Sequence, residues 1–428
     1  MNFNFEPKDH VLWYVSQSET KPCTQNLDIE VAIVGGGIAG LSAAQEFAKQ
    51  GKKVAIFEQY FCGSGATGKS SGFVTPNAEL SLTDFATRFN FDVAHQIWDL
   101  ISSGVTHIAD NIKQHNFNCD YQVQDAFVLA TSKSELKTLQ REHENLTKIG
   151  YESKIYDQNF MQNIINSNQY FGALQYFNSF SFNPYLYCQE LKNLLQSQGV
   201  LIFEQTPITQ IFDHILIAPH ATITADFIIV CVDHNFANLN LLKDNVFHAQ
   251  TFVMASEQLS DAQIKNIFPN GHVMAWDTQL IYNYFRITKD KRLLLGGGDI
   301  FTSYANNETH NYHRITKKLC RYFTQKFPQI NLQFEYQWPG LIGLSKDISP
   351  IIGRDQKFPH IYYVTAATGL ATAAALGKYS AQHLIQGRNN FDHHFSPYRK
   401  FPVDGLLQKI IGKRLSFILS NIIKLNIP

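Results

Sequence analysis

The chain has 428 residues, well beyond the roughly 100–200 of one domain, so its core is divided or belongs to one large interleaved fold. With 44% hydrophobic and 17% charged residues, it is neither disordered nor collagen-like. Its 36 basic and 36 acidic residues cancel, which leaves no global positive field for nucleic acid, and no nucleic-acid partner is expected.

Cysteines stand at Cys23, Cys62, Cys119, Cys188, Cys231 and Cys320. No two have metal-ligand spacing, so the expectation is buried free thiols in a reducing compartment and no metal. The opening MNFNFEPKDH lacks a basic stretch followed by an apolar one, and no run of about 18 apolar residues occurs. A cytoplasmic location is expected.

Residues 1–27 read as a polar arm. The stretch DIEVAIVGGGIAGLSAAQEFAKQGKKVAIFEQ follows. Residues 30–34 form an apolar, β-branched strand, and Gly35, Gly37 and Gly40 follow at G-x-G-x-x-G spacing. A helix is expected over 38–50, opening with Ile38 and Ala39 and stopped by Gly51. A second buried strand, VAIF, leads into Glu58 and Gln59. Each part has a physical reason. Gly35 permits a tight turn, Gly37 lets backbone approach a pyrophosphate, and Gly40 lets helix press on strand. The helix N-terminus offers unpaired N–H groups to phosphate. Glu58 can accept from ribose hydroxyls, which favours FAD or NAD over NADP.

Gly63, Gly68, Lys69 and Ser70 match the G-x-x-x-x-G-K-S phosphate loop of nucleotide triphosphatases. That loop needs a helix after it, and Gly72 and Pro76 argue against one. The order VAIVGGGIAGLSAA, acid-terminated strand, GSGATGKSSG resembles instead the D-amino-acid oxidase superfamily of FAD-dependent oxidoreductases. That group includes glycine and sarcosine oxidases and gamma-glutamylputrescine oxidoreductases. The resemblance implies that Ala66, Thr67, Gly68, Lys69, Ser70, Ser71 and Gly72 wrap the FAD pyrophosphate, with Lys69 where many members carry Arg.

The resemblance continues along the chain. Residues 131–149 read as an exposed charged helix. In NPYLYCQELKNLLQSQGVLIFEQTPITQI (183–211) it implies that Ile208 meets adenine through its backbone. DFIIVCVDHN (226–235) resembles a strand that ends in a small pair, replaced here by Cys231, Val232 and Asp233. YNYFRITKDKRLLLGGGD (282–299) resembles a strand pair of the substrate domain. Residues 338–385 resemble the closing FAD segment, with Pro350 and Gly353 marking a turn and Gly369, Leu370 and Ala371 opening a helix towards the flavin pyrimidine ring.

The expected fold is α/β. A discontinuous Rossmann-type FAD-binding domain (28–88, 186–235 and 338–388) alternates with an α+β substrate domain (89–185 and 236–337) on an antiparallel sheet. Residues 389–428 form a C-terminal extension. The resemblance implies oxidation of the C–N bond of an amine or amino acid by hydride transfer to flavin. Gly369 would stabilise charge through its helix dipole, Arg286 would clamp a substrate carboxylate, and Tyr284, on the same strand face as Tyr282, would orient substrate. No cysteine lies near Trp338 and no histidine between 11 and 94, so FAD is expected to be non-covalent. In the tail, Leu406, Leu407, Ile410, Ile411, Leu415, Ile418 and Ile422 form an apolar stripe beside Lys409, Lys413, Arg414 and Lys424. This amphipathic helix either packs on the protein or lies peripherally on a membrane. Oxygen or a quinone would be the electron acceptor. A flavin-dependent tRNA-modifying domain and a non-catalytic flavin- or nucleotide-binding protein remain as alternatives.

Overall fold

The computed structural model describes residues 8–15, 20–304, 313–401 and 403–425. The rest of the expected arm (1–7, 16–19) and the last three residues lie outside the described residues.

Strand β1 (Leu27–Val34) is the centre of a mainly parallel sheet. It feeds helix α1 (Ile38–Lys49), which returns to β2 (Val54–Phe57) on one side of β1. The short helix α2 (Ala66–Lys69), the long α3 (Phe91–His115) and α4 (Pro184–Ser197) come next. Then β3 (Leu201–Phe203) extends the sheet beyond β2, whereas β4 (Ala221–Val230) pairs with the opposite side of β1. The order therefore reverses at β1, and the glycines at its carboxyl end sit at the switch point where such sheets bind ligands. The sheet is completed by β5 (Ile351–Arg354) and β6 (Ile361–Thr365), and α5 (Leu370–Gln386) packs back on α1.

The second sheet has nine strands and is antiparallel at all but two junctions. The hairpin Tyr284–Ile287 and Arg292–Gly297 lies within it. Phe285, Ile287, Leu293 and Leu295 face a cluster closed by the helix His313–Lys326, while Tyr284 packs with Trp13 and Trp338 on the other face. This two-residue period is the one expected of a strand with both faces covered.

Several boundaries differ from the expected ones. The FAD layer does not resume at 338, because Phe334–Ser345 is one strand paired throughout with Val246–Gln258. Pro339 is tolerated there because the neighbour on its outer side, Lys8–Asp9, has already ended. The turn falls at 346–349 with Ile348 at φ +63, and Gly353 lies inside β5 against the Pro397 ring. Helix α3 joins the FAD layer, where Asn111 exchanges hydrogen bonds of 2.8 and 3.1 Å with Gln45 of α1. The helix Lys133–Lys148 is more than solvated surface: Leu139 and Leu146 are buried, and Glu142 accepts from the N–H groups of Leu82 and Thr83 at the start of another helix.

The C-terminal stripe is not one helix. Gly412, at φ +83, divides it into Leu406–Ile411 and Lys413–Leu425. The second packs on the body: Phe417 is fully buried against Phe247 and Tyr304, and Asn421 donates to the carbonyls of Ser345 and Lys346. The first keeps Leu406 and Ile410 75% and 71% exposed.

One buried ion pair ties the arm to the sheet. Lys192 of α4 meets Glu204 at 3.3 Å, and Glu204 also accepts from the Cys62 N–H and the Thr20 hydroxyl. Burial alone would raise the Glu204 pKa, but these donors and Lys192 hold it below the usual range. Replacing one partner strands the other charge, so Glu204→Gln is expected to cost about 3–5 kcal/mol in chemical denaturation. Adding Lys192→Met should recover part of that loss. Equal stability of the wild type and the Glu204→Gln variant would contradict this account.

Candidate functional site

Four consecutive structural devices meet at the carboxyl end of β1. Gly35 has φ +106, and a Cβ there would lie 2.5 Å from the Cys231 carbonyl. A Cβ on Gly40 would lie 2.0 Å from the Gly35 carbonyl, so only glycine lets α1 start this close to the strand. Gly37 is the N-cap of α1, and the Ile38 N–H donates to the Thr67 hydroxyl at 3.2 Å; Ala39 opens the first turn. Glu58 is buried and accepts from the Gly36 N–H at 2.7 Å and the Tyr60 N–H at 2.9 Å. Burial raises its pKa against these two donors and the Ser64 hydroxyl. Oε1 also accepts from the Ser64 hydroxyl at 3.4 Å, so Oε2 is the oxygen that keeps a further lone pair for a hydroxyl donor. Gln59 is exposed beside it, and the segment leading to Ile208 is stitched alongside by the Thr206 N–H on the Glu58 carbonyl at 2.8 Å. Ile208 itself is buried.

The loop after β2 is fixed from outside. Tyr14 donates to the Ser64 carbonyl at 2.7 Å, Trp338 to that of Lys69 at 2.8 Å, and Trp13 to that of Ser70 at 3.1 Å. Arg286 donates from Nε to the Ser71 carbonyl at 2.7 Å. Ala66, Thr67, Gly68 and Lys69 form only the single turn α2, and Gly72 leads into a short strand, so the triphosphatase architecture is absent here. Cys62, just before the loop, is fully buried, and burial pushes its thiol well up, the opposite of an activated thiolate.

At the other end, Gly369 caps α5 at φ +97, followed by Leu370 and Ala371. The hydroxyls of Thr368 and Thr372, on either side of that N-terminus, are buried without a hydrogen-bond partner. Buried polar groups are rarely left so. A glycine cradle, an acid at the end of β2 and orphaned hydroxyls at a helix N-terminus fit a dinucleotide cofactor with a polar ring edge. Gly353 lies inside β5, where a Cβ would come 2.9 Å from the Pro397 ring.

On the substrate side, Arg286 differs from the expected clamp. Its guanidinium is buried and also donates to Ser181, Ile287 and Phe182 oxygens, each at 3.2 Å. Burial draws its pKa down to about 9, so it stays cationic at neutral pH. Tyr282 and Tyr284 do share a face, with ring centroids 6.0 Å apart. Tyr284 meets Phe73 at 5.9 Å, and Phe73 meets Trp276 at 6.4 Å. Glu79 stands at the edge of this aromatic wall and accepts from the Tyr282 hydroxyl at 3.2 Å. Sequence reasoning passed over Glu79, Trp13 and the indole of Trp338. The pattern HVLWYV at 10–15 was the available sign that the arm is not simply polar.

Asp213, His214 and His360 bring ligand atoms together elsewhere. The two imidazoles stack 3.7 Å apart at 11°, so their lone pairs run parallel and one ion cannot lie about 2.0–2.1 Å from both.

Because Arg286 holds the loop at Ser71, Arg286→Lys is expected to keep the charge and lose most of its four partners. Hydrogen bonds to charged groups are worth about 1.5–3 kcal/mol each, so bound FAD per chain should fall several-fold and the melting temperature should drop. Unchanged flavin content would refute this role.

Comparison with known proteins agrees with these features. The family described as DAO, FAD dependent oxidoreductase, matches residues 30–383. A probable oxidoreductase OrdL of Haemophilus influenzae is 27% identical, covering 89% of this chain and 90% of its own. Gamma-glutamylputrescine oxidoreductase of Escherichia coli is 25% identical, covering 92% and 94%. Among solved structures, L-proline dehydrogenase from P. horikoshii superposes with a TM-score of 0.74 at 18% identity, over 87% of this chain and 98% of that one. Glycine oxidase from Geobacillus kaustophilus gives 0.73 at 17%, over 88% and 100%. Its glycine-rich unit, held loop and returning helix belong to one known design: the chain is a member of the D-amino-acid oxidase family of FAD-dependent oxidoreductases.

Proposed function

We propose that this enzyme oxidises the C–N bond of an amine or amino acid, with FAD held non-covalently by Gly35–Gly40, Glu58, the 66–72 loop and the start of α5. One observation carries the reading. Phe73, the residue after the loop, packs directly on Tyr284, which neighbours Tyr282 in turn. The chain that would hold the cofactor thus also walls the space for a substrate. The names of the relatives and structural neighbours, gamma-glutamylputrescine oxidoreductase, glycine oxidase and L-proline dehydrogenase, support the same substrate class.

FAD supplies the two-electron acceptor. The chain's own residues supply position and electrostatics. Burial pushes the Tyr284 phenol up, and the charge of Glu79 together with burial does the same for Tyr282. Both therefore remain neutral, and Tyr282, whose proton goes to Glu79, offers its oxygen lone pairs to a substrate donor. The N–H groups at Gly369–Ala371 offer the positive end of α5 to negative charge that develops nearby. Phe73 and Trp276 keep water away from the reacting bond.

The electron acceptor in this reading is oxygen or a quinone. Among the described residues no helix is long and apolar enough to cross a membrane. The open Leu406, Leu407 and Ile410, beside Lys409, support a peripheral contact of the C-terminal end with a membrane.

Purified holoenzyme should show flavin absorbance that bleaches anaerobically on adding at least one member of a panel of amines and amino acids. Flavin that no member bleaches, or a colourless protein that FAD does not reconstitute, would sink the proposal. For the membrane contact, co-sedimentation with anionic vesicles should fall at least about fivefold in Leu406→Asp/Ile410→Asp, the loss expected when apolar anchors are removed. Equal sedimentation of the two proteins would dismiss it.

A further inference from the structure

Glu79 is the one acidic residue named at the aromatic wall, and its setting is unusual. Its side chain is exposed. The protein nevertheless surrounds it closely enough for desolvation to raise its pKa, with the Tyr282 hydroxyl as the sole opposing influence. Among the described residues no lysine or arginine pairs with it, and its hydrogen bond comes from Tyr282. A carboxylate held in a desolvated space without a cation is costly, and the cost is offset when a positively charged group enters.

The surrounding rings suit the same visitor. Tyr282, Tyr284, Phe73 and Trp276 form a chain of neighbours with centroids 6.0, 5.9 and 6.4 Å apart. Ring faces within about 6 Å attract a cation, most strongly when it is desolvated. The arginine on this strand is meanwhile engaged by backbone carbonyls.

We propose that Glu79, with the Tyr282 hydroxyl and this aromatic wall, is a specificity subsite for a substrate ammonium group remote from the C–N bond that is oxidised. The preferred substrates are then diamines, or amines bearing a second cationic group. The subsite is assigned to the remote amine for a chemical reason. A carboxylate beside an ammonium stabilises its protonated form, whereas the amine that is oxidised must be neutral. Glu79 would hinder oxidation at the nitrogen it binds and assist it at a distance. The inference rests on the amine-oxidising function proposed above.

The test uses holoenzyme and three probes: 1,4-diaminobutane, n-pentylamine, in which a methyl replaces one ammonium, and 5-aminopentanoate, in which a carboxylate does. Dissociation constants are read from the anaerobic flavin spectrum, and kcat/KM from flavin reduction. The expected result is a preference of at least about tenfold for the diamine over n-pentylamine, equivalent to about 1.4 kcal/mol, with 5-aminopentanoate weakest. Glu79→Gln should bring the diamine-to-monoamine ratio to within about threefold, and Tyr282→Phe should lower it less. FAD per chain is measured for each variant. If a variant loses FAD, the wild-type ratios alone decide. Flavin bleached by both amines with equal constants overturns the role of Glu79 and leaves amine oxidation standing. A ratio that Glu79→Gln leaves intact overturns it as well. Flavin that neither these nor any other amine bleaches overturns the parent reading together with this one.

Discussion

Three successive carbonyl oxygens, those of Lys69, Ser70 and Ser71, are each held by a side-chain N–H from a different part of the chain. The rest of the site depends on that constraint. A glycine- and serine-rich loop has little side chain of its own to pack, and its conformational entropy favours many shapes. Trp338 and Arg286 come from the large sheet, and Trp13 from the arm. Once their donors fix the carbonyls, Phe73 is delivered onto Tyr284 across the boundary between the two layers. The loop is therefore shaped less by its own sequence than by the sheet it touches.

Four charged side chains are satisfied in three different ways. Lys192 and Glu204 neutralise each other at 3.3 Å. Arg286 has no carboxylate within ion-pair distance among the described residues and spreads its charge over carbonyl dipoles and a serine hydroxyl. Its ring neighbour Trp13, 5.9 Å away, adds a cation–π contribution. Glu79 has only a phenol. The first two arrangements are complete within the chain, and the third is not.

The legible parts of this protein were the local ones. The β1–α1–β2 unit, with Gly35, Gly37, Gly40 and Glu58, was readable because its geometry is set by neighbours within about thirty residues. The helix opened by Gly369 and the hairpin around Tyr284 were readable for the same reason. The role of Arg286 was not. Its strand and its face are encoded by alternation, but the carbonyls that occupy it belong to residues 71 and 182. Glu79 lies in a loop with no periodicity, so nothing in its surroundings marked it before Tyr282 was seen to approach. The boundary at 338 was set by likeness to the closing FAD segment, whereas Phe334–Ser345 continues the large sheet, where the open edge beside Pro339 removes the need for its missing N–H. In the tail, the apolar spacing ran straight through Gly412, whose positive φ ends one helix and begins another.

The donors that hold the loop are 57, 215 and 269 residues away from their acceptors along the chain. Contacts of such separation form late in folding, since the loop-closure entropy must be met before they contribute. The dinucleotide unit can gain its strands and helix early, because those contacts are local. The loop beside it can settle only after the last third of the chain has joined the sheet. Competence to retain FAD would then be among the final properties the folding protein acquires, and the appearance of flavin fluorescence quenching during refolding would time the docking of the two layers.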